Sequence, residues 1–166
     1  LSGMYKQAYK NQIIRINPIP LATLPKMHER KERRVLSKDE QQFFLETAKN
    51  HQYYYIFELA LSTGMRSGEL RGLEWKDIDF QNRIIHVRGT LVQNRYGFYK
   101  DTPKTQSSYR DIPMLNNVYN LLKQRKRQQS EQKILLGSNW KTLDGLENLV
   151  MTTSTGHPLG KGYLNN

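Results

Sequence analysis

Apolar positions in this chain recur first at helical spacing and then at strand spacing, and the change of period divides it. Over residues 1–16, Met4, Ala8, Ile13, Ile14 and Ile16 stand among Lys6, Lys10 and Arg15. That pattern reads as the end of a helix stopped at Asn17-Pro18, because the residue before a proline is pushed out of the helical region. Pro18, Pro20 and Pro25 then favour an extended path, and residues 17–35 read as a linker. A compact region starts at Leu36. Ser37-Lys38-Asp39-Glu40 has the spacing of a capping box, so Ser37 is the expected N-cap of a helix running to about Asn50, with Phe43, Phe44 and Ala48 buried. A second helix, from about Gln52 to Ser62, carries Tyr54, Ile56, Phe57, Leu59, Ala60 and Leu61. It is apolar around most of its circumference, which predicts a central position. Gly64 is placed to end it in the left-handed conformation, and a short helix follows over about Ser67–Gly72.

Beyond Asp79 the period falls to two. Arg83–Arg88, Gly97–Lys100 and Tyr109–Pro113 read as strands. The joining segments hold Asn94, Gly97, Pro103 and Ser107, so a small three-stranded antiparallel sheet of hairpins is expected. Asn116 or Asn117 is placed to cap another helix, with Val118, Leu121 and Leu122 inward and Lys123, Arg125, Lys126 and Arg127 outward. Leu149-Val150-Met151 reads as a short strand, Ser154–Pro158 as a turn, and a further helix begins near Lys161. The expected fold class is mostly α, of α+β type.

Composition narrows the function. Lys and Arg number 26 against 15 Asp and Glu, a net charge of +11. The commonest partner for such an excess is nucleic acid, since each cation facing a phosphate releases a condensed counterion. An anionic membrane surface competes, and a basic surface kept for solubility is the plain alternative. Arg30, Lys31, Arg33 and Arg34 form either a solvated connector or a tether along a phosphate backbone, and the same choice holds for Lys123, Arg125, Lys126 and Arg127. The absence of cysteine excludes disulfides and thiolate zinc sites. No apolar run approaches the ~18 residues of a membrane helix, and Leu1–Lys6 lacks the apolar core of a signal peptide. Hydrophobic content of 37% is enough for one packed core.

Two segments carry candidate chemistry. In Ser62–Asp79 an apolar helix ends at Gly64 and Arg66 follows on the turn before the next helix. A guanidinium there is a good receptor for phosphate, and Glu69, three residues on, could orient it. A surface ion pair capping a short helix explains the same residues. In Asp101–Pro113, Lys104 falls at or near a hairpin tip. It is either a solvated charge or a group able to give a proton to a leaving oxygen.

Together these segments resemble the catalytic domain of the tyrosine recombinases, the phage-integrase family, and most of all the integrases of Gram-positive conjugative transposons and phages. The pattern is Thr-Gly-Met-Arg-x-Gly-Glu-Leu-x-x-Leu-x-Trp-x-Asp-Ile-Asp, then a strand pair and Pro-Lys-Thr-x-x-Ser-x-Arg-x-Ile-Pro. The resemblance implies a helical catalytic-domain bundle over residues 36–166, preceded by the last helix of a core-binding domain (1–16) and the interdomain linker (17–35). It implies that Arg66 clamps the scissile phosphate, that Glu69 supports it, and that Lys104 is the general acid for the leaving 5′-hydroxyl. The implied reaction cuts and rejoins double-stranded DNA through a 3′-phosphotyrosine, with neither metal nor cofactor, by a tetramer in the bacterial cytoplasm, nucleoid-associated. The family's His-x-x-Arg block is missing: His28, His51, His86 and His157 lack an arginine three residues on. Tyr163, the last tyrosine, is therefore expected to be structural, and the nucleophilic tyrosine to be absent from a fragment truncated at both ends and inactive alone. A non-catalytic DNA-binding module on the same scaffold is the alternative.

Overall fold

The computed structural model describes residues 1–23, 34–101 and 109–164. The chain forms two compact units, Leu1–Val35 and Leu36–Asn166.

In the first unit, helix α1 spans Ser2–Lys10. It ends earlier than the expected stop at Asn17-Pro18, and the reason is local. Gln12 adopts a left-handed φ of 59°. The Ile13 N–H donates to Ala8 O at 2.9 Å and the Gln12 N–H to Tyr9 O at 3.1 Å, the paired bonds of a Schellman termination. Pro18 and Pro20 do not extend the chain throughout either. A 3₁₀ turn forms over Ile19–Leu21, with the Ile19 N–H donating to Asn17 Oδ1 at 3.1 Å.

The second unit opens with α2 (Lys38–Ala48), capped as expected. The Glu40 N–H donates to Ser37 Oγ at 3.2 Å and the Ser37 N–H to Glu40 Oε2 at 2.8 Å. The expected burial of Phe43 and Phe44 fails: Phe43 is 71% exposed and Phe44 40%. Helix α2 buries no residue, and Phe44 meets α3 edge-on at Phe57, with ring centroids 5.4 Å apart. Helix α3 (Tyr54–Thr63) is central, with Ile56 and Leu59 buried, and Gly64 closes it at φ 63°. Helix α4 (Ser67–Arg71) and a 3₁₀ turn at Trp75–Asp77 follow.

The strands are β1 (Ile78–Asp79), β2 (Ile84–Val87), β3 (Thr90–Asn94), β4 (Gly97–Asp101) and β5 (Arg110–Pro113). A three-stranded antiparallel sheet exists, but with other members than expected. Its order is β1-β2-β5, while β4 pairs with β3 in a separate two-stranded hairpin. The register sets Ile85 opposite Ile112 and Val87 opposite Arg110 in the first sheet, and Leu91 opposite Lys100 in the second. The hairpin lies close against α4, because a Cβ on Gly72 would come within 2.6 Å of Leu91 N. Only a glycine allows that approach.

Helix α5 spans Asn116–Leu136. Neither Asn116 nor Asn117 caps it. Both lie inside the helix, where Asn116 Oδ1 accepts from Arg83 and Asn117 Nδ2 donates to Ser62 Oγ at 3.2 Å. The expected strand at Leu149–Met151 is a single bridge, Glu74 to Leu149. The core gathers Ile56 and Leu59 of α3, Ile85 and Val87 of β2, Val118 and Leu122 of α5, and Val150, Met151 and Leu159. A smaller cluster of Leu91, Leu146 and Leu149 sits under the hairpin.

Candidate functional site

The turn after α3 is built to project one side chain. Gly64 reverses the chain, Met65 is buried beside it, and Arg66 emerges with its side chain 76% exposed. Glu69 lies one helical turn on, only 6% exposed. Its Oε1 accepts from Arg66 Nη1 at 2.9 Å, and its Oε2 accepts from the Arg66 backbone N–H at 2.8 Å. Helix α4 therefore presents no bare N–H at Arg66 itself, and the exposed group that this residue offers an anion is its guanidinium.

A second arginine completes the arrangement. Arg110 Nη1 donates to Glu69 Oε1 at 3.0 Å and Arg110 Nη2 to Glu69 Oε2 at 2.7 Å, a two-pronged pair from β5. Arg110 shares a strand face with Ile112, and the half-buried guanidinium aims at the carboxylate. Burial pushes the Glu69 carboxyl up, but hydrogen bonds from Arg110 and Arg66 and the charge of Arg110 outweigh it and bring it down to about 2. Nothing in the residues around Arg110 in the sequence marks it as part of the site. What they do show is the alternation in Arg110-Asp111-Ile112, which puts a cation on the same face as a partly buried isoleucine and so calls for a counter-ion.

The other expected site residues fall into three groups. Lys104, Arg30, Lys31 and Arg33 lie outside the described residues. Arg34 is exposed, as are Lys123, Lys126 and Arg127 on α5. Lys123 lies over the Tyr119 ring at 4.7 Å, Lys126 over Phe80 at 5.5 Å and Trp75 at 5.6 Å, and Arg127 pairs with Glu131 at 2.8 Å. Arg125 is a correction. It is 4% exposed rather than outward, with Nε donating to Val150 O at 3.2 Å and Nη2 to Thr152 Oγ1 at 3.0 Å, and it stacks on Tyr55 at 4.4 Å. It cannot face a duplex. Tyr163 is half-exposed and meets Tyr53 edge-on, with ring centroids 5.9 Å apart.

The sequence model of the phage integrase family matches residues 33–154. The chain belongs to that family. Among curated relatives, it is 31% identical over 139 residues to a tyrosine recombinase XerC-like protein of Caldanaerobacter subterraneus subsp. tengcongensis, covering 78% of this chain and 35% of that one. It is 33% identical over 94 residues to the transposase of transposon Tn916 from Enterococcus faecalis, covering 54% of this chain and 23% of the transposase. Among solved structures, the Tn1549 transposon integrase in complex with transposon right end DNA superposes with a TM-score of 0.76 at 29% identity, covering 95% of this chain and 50% of that one. This integrase-family chain thus spans about a third or less of the length of these curated relatives and half that of the Tn1549 structure. The mostly helical α+β domain with small antiparallel sheets is the architecture it shares with the integrase catalytic domain.

Proposed function

We propose that this chain is the part of a site-specific tyrosine recombinase that grips the scissile phosphodiester of double-stranded DNA, with Arg66 as the gripping residue. The observation that supports it most is the Arg66 guanidinium: exposed, oriented through Nη1 by a nearly buried carboxylate, with Nε and Nη2 making no hydrogen bond among the described residues. In the family's reaction a tyrosine hydroxyl attacks the phosphorus, a 3′-phosphotyrosine forms, and the 5′-oxygen leaves with a proton. Charge grows on the non-bridging oxygens as the fifth bond forms, and a fixed guanidinium stabilises that charge without reorganising. Lys104 would supply the proton to the leaving 5′-oxygen, and Glu69 would keep Arg66 in place. Residues 1–16 and 17–35 would be the last core-binding helix and the linker, and a longer protein carrying this segment would act as a tetramer.

Arg66 can be watched directly. In a chain labelled at arginine nitrogens, the Arg66 Nε–Hε resonance should move saturably as a short duplex is added, and the movement should weaken with salt. A resonance that stays still while those of the α5 cations shift would remove Arg66 from the interface. In a longer recombinase containing this segment, Arg66→Ala should slow cleavage by about 10²–10³-fold. A covalent adduct between this chain alone and a duplex that traps cleavage would overturn the assignment of Tyr163 to packing.

A further inference from the structure

Placing a carboxylate beside a phosphate-gripping arginine carries an electrostatic penalty. Glu69 orients Arg66, but it lies 2.9 Å from the guanidinium it orients and would cancel that charge as seen by an approaching phosphodiester. An Arg66–Glu69 pair alone sums to zero. The structure adds one more unit charge, from a strand 41 residues further along the chain. With Arg110 the cluster sums to +1, and the four hydrogen bonds from Arg66 and Arg110 occupy the acceptor sites of the Glu69 carboxylate.

We propose that Arg110 is the positioning residue of this site: it neutralises and immobilises Glu69, so that Arg66 meets a phosphodiester as part of a net cation. This rests on the reading of Arg66 as the phosphate-gripping group. Three features fit the role. Both terminal nitrogens of Arg110 are turned to Glu69, so its fork points at the carboxylate and not at a ligand. Its backbone is locked in the β2–β5 register opposite Val87, and its carbonyl accepts from Arg88 Nη1 at 3.4 Å. Its side chain is 34% exposed against 76% for Arg66, so the two guanidiniums are unequally available and Arg66 is the outer one.

Duplex affinity read at the Arg66 Nε–Hε resonance tests this in the whole chain, because charge compensation and simple structural support predict different outcomes for a double variant. Arg110→Met should weaken the affinity seen at Arg66 about fivefold, the effect of one uncompensated charge several ångströms away in a wet site. Adding Glu69→Gln to Arg110→Met removes the uncompensated carboxylate, returns the cluster to +1, and should restore the affinity to within about twofold. Arg110→Lys keeps the charge and should stay within about twofold of the native chain as well. If Arg110 only ties β5 to the α4 turn, the double variant will be as weak as Arg110→Met or weaker, and Arg110→Lys will fail with it; either result overturns the proposal. Native affinity in Arg110→Met overturns it too. Where Arg110→Met does not give the spectrum of a folded chain, Arg110→Gln against Arg110→Lys makes the same comparison. No response at Arg66 in the native chain would sink the phosphate reading itself, whereas a response there that Arg110 does not affect would sink this inference alone.

Discussion

Each oxygen of the Glu69 carboxylate accepts two hydrogen bonds, one from Arg66 and one from Arg110, and the side chain is almost wholly shielded from water. Such a carboxylate links stability to pH. Burial raises its affinity for a proton, the two arginines lower it by more, and the folded-state value falls to about 2, against about 4.3 in an unfolded chain. A depressed carboxyl contributes stability that is fully present above the unfolded value and lost as pH falls through the folded one. The contribution is on the order of 2–3 kcal/mol. Glu69→Gln should therefore unfold at lower urea than the native chain at pH 6, and the gap should narrow between about pH 4 and pH 2. A gap that stays constant across that range would mean Glu69 is not held ionised by its partners. Arg125 illustrates the opposite fate of a cation. Burial lowers its hold on its proton and the neighbouring tyrosines counteract that only in part, yet its bonds to Val150 O and Thr152 Oγ1 keep it structural.

At the level of elements, the β3–β4 hairpin is fastened to the Trp75–Asp77 turn by one lysine. Lys100 Nζ lies 2.5 Å from Glu74 Oε2 and 3.4 Å from Asp77 Oδ2, and Lys76 Nζ reaches Glu74 from the solvent side at 2.8 Å. Burial pushes the Glu74 carboxyl up, and Lys100 and Lys76 together hold it below its ordinary value. Lys100→Met leaves two buried carboxylates with a single exposed cation and should destabilise the unit by roughly 2–4 kcal/mol, a loss that Glu74→Gln in the same chain partly returns. Urea unfolding at neutral pH measures both, and unchanged stability in Lys100→Met would show that the pair is idle. This hairpin also marks where the sequence stops being legible. Alternation identified the strand at Gly97–Lys100, but a period of two names no partner. The two-residue Arg95-Tyr96 connection between β3 and β4 lacks the Asn-Gly signature that would have joined them. The Ser37 capping box, the left-handed Gly64 and the central α3 were readable because each rests on a local rule. Phe43 was not, since helical spacing shows a face without showing what covers it. Arg125 was readable and misread: Val118, Leu121, Leu122, Arg125 and Gln129 follow the spacing of a single buried stripe. In the site, Arg66 and Glu69 stand three residues apart and could be paired on sight, whereas Arg110 reaches them only through the sheet.

For the molecule as a whole, the net charge of +11 is the property that would govern the proposed encounter with DNA. The exposed cations of α5 are unequal contributors. Arg127 is partly neutralised by Glu131, while Lys123 and Lys126 lie over aromatic rings that hold them near the surface without cancelling their charge. Held cations lose less freedom on meeting a phosphate than floppy ones, so Lys123 and Lys126 are the stronger candidates for backbone contacts. Each phosphate neutralised contributes about −0.9 to the slope of log affinity against log salt. If this face lies along a duplex, the intact chain should lose about tenfold or more in affinity between 50 and 200 mM salt. Replacing Lys123 and Lys126 with glutamine should flatten the slope by up to about 1.8, whereas Arg127→Gln should change it less. Fluorescence anisotropy on a labelled duplex reads all three slopes. A slope near zero in the native chain would break the link between charge and DNA. A steep slope that Lys123→Gln and Lys126→Gln leave untouched would move the contact surface off α5, to other basic residues of the chain.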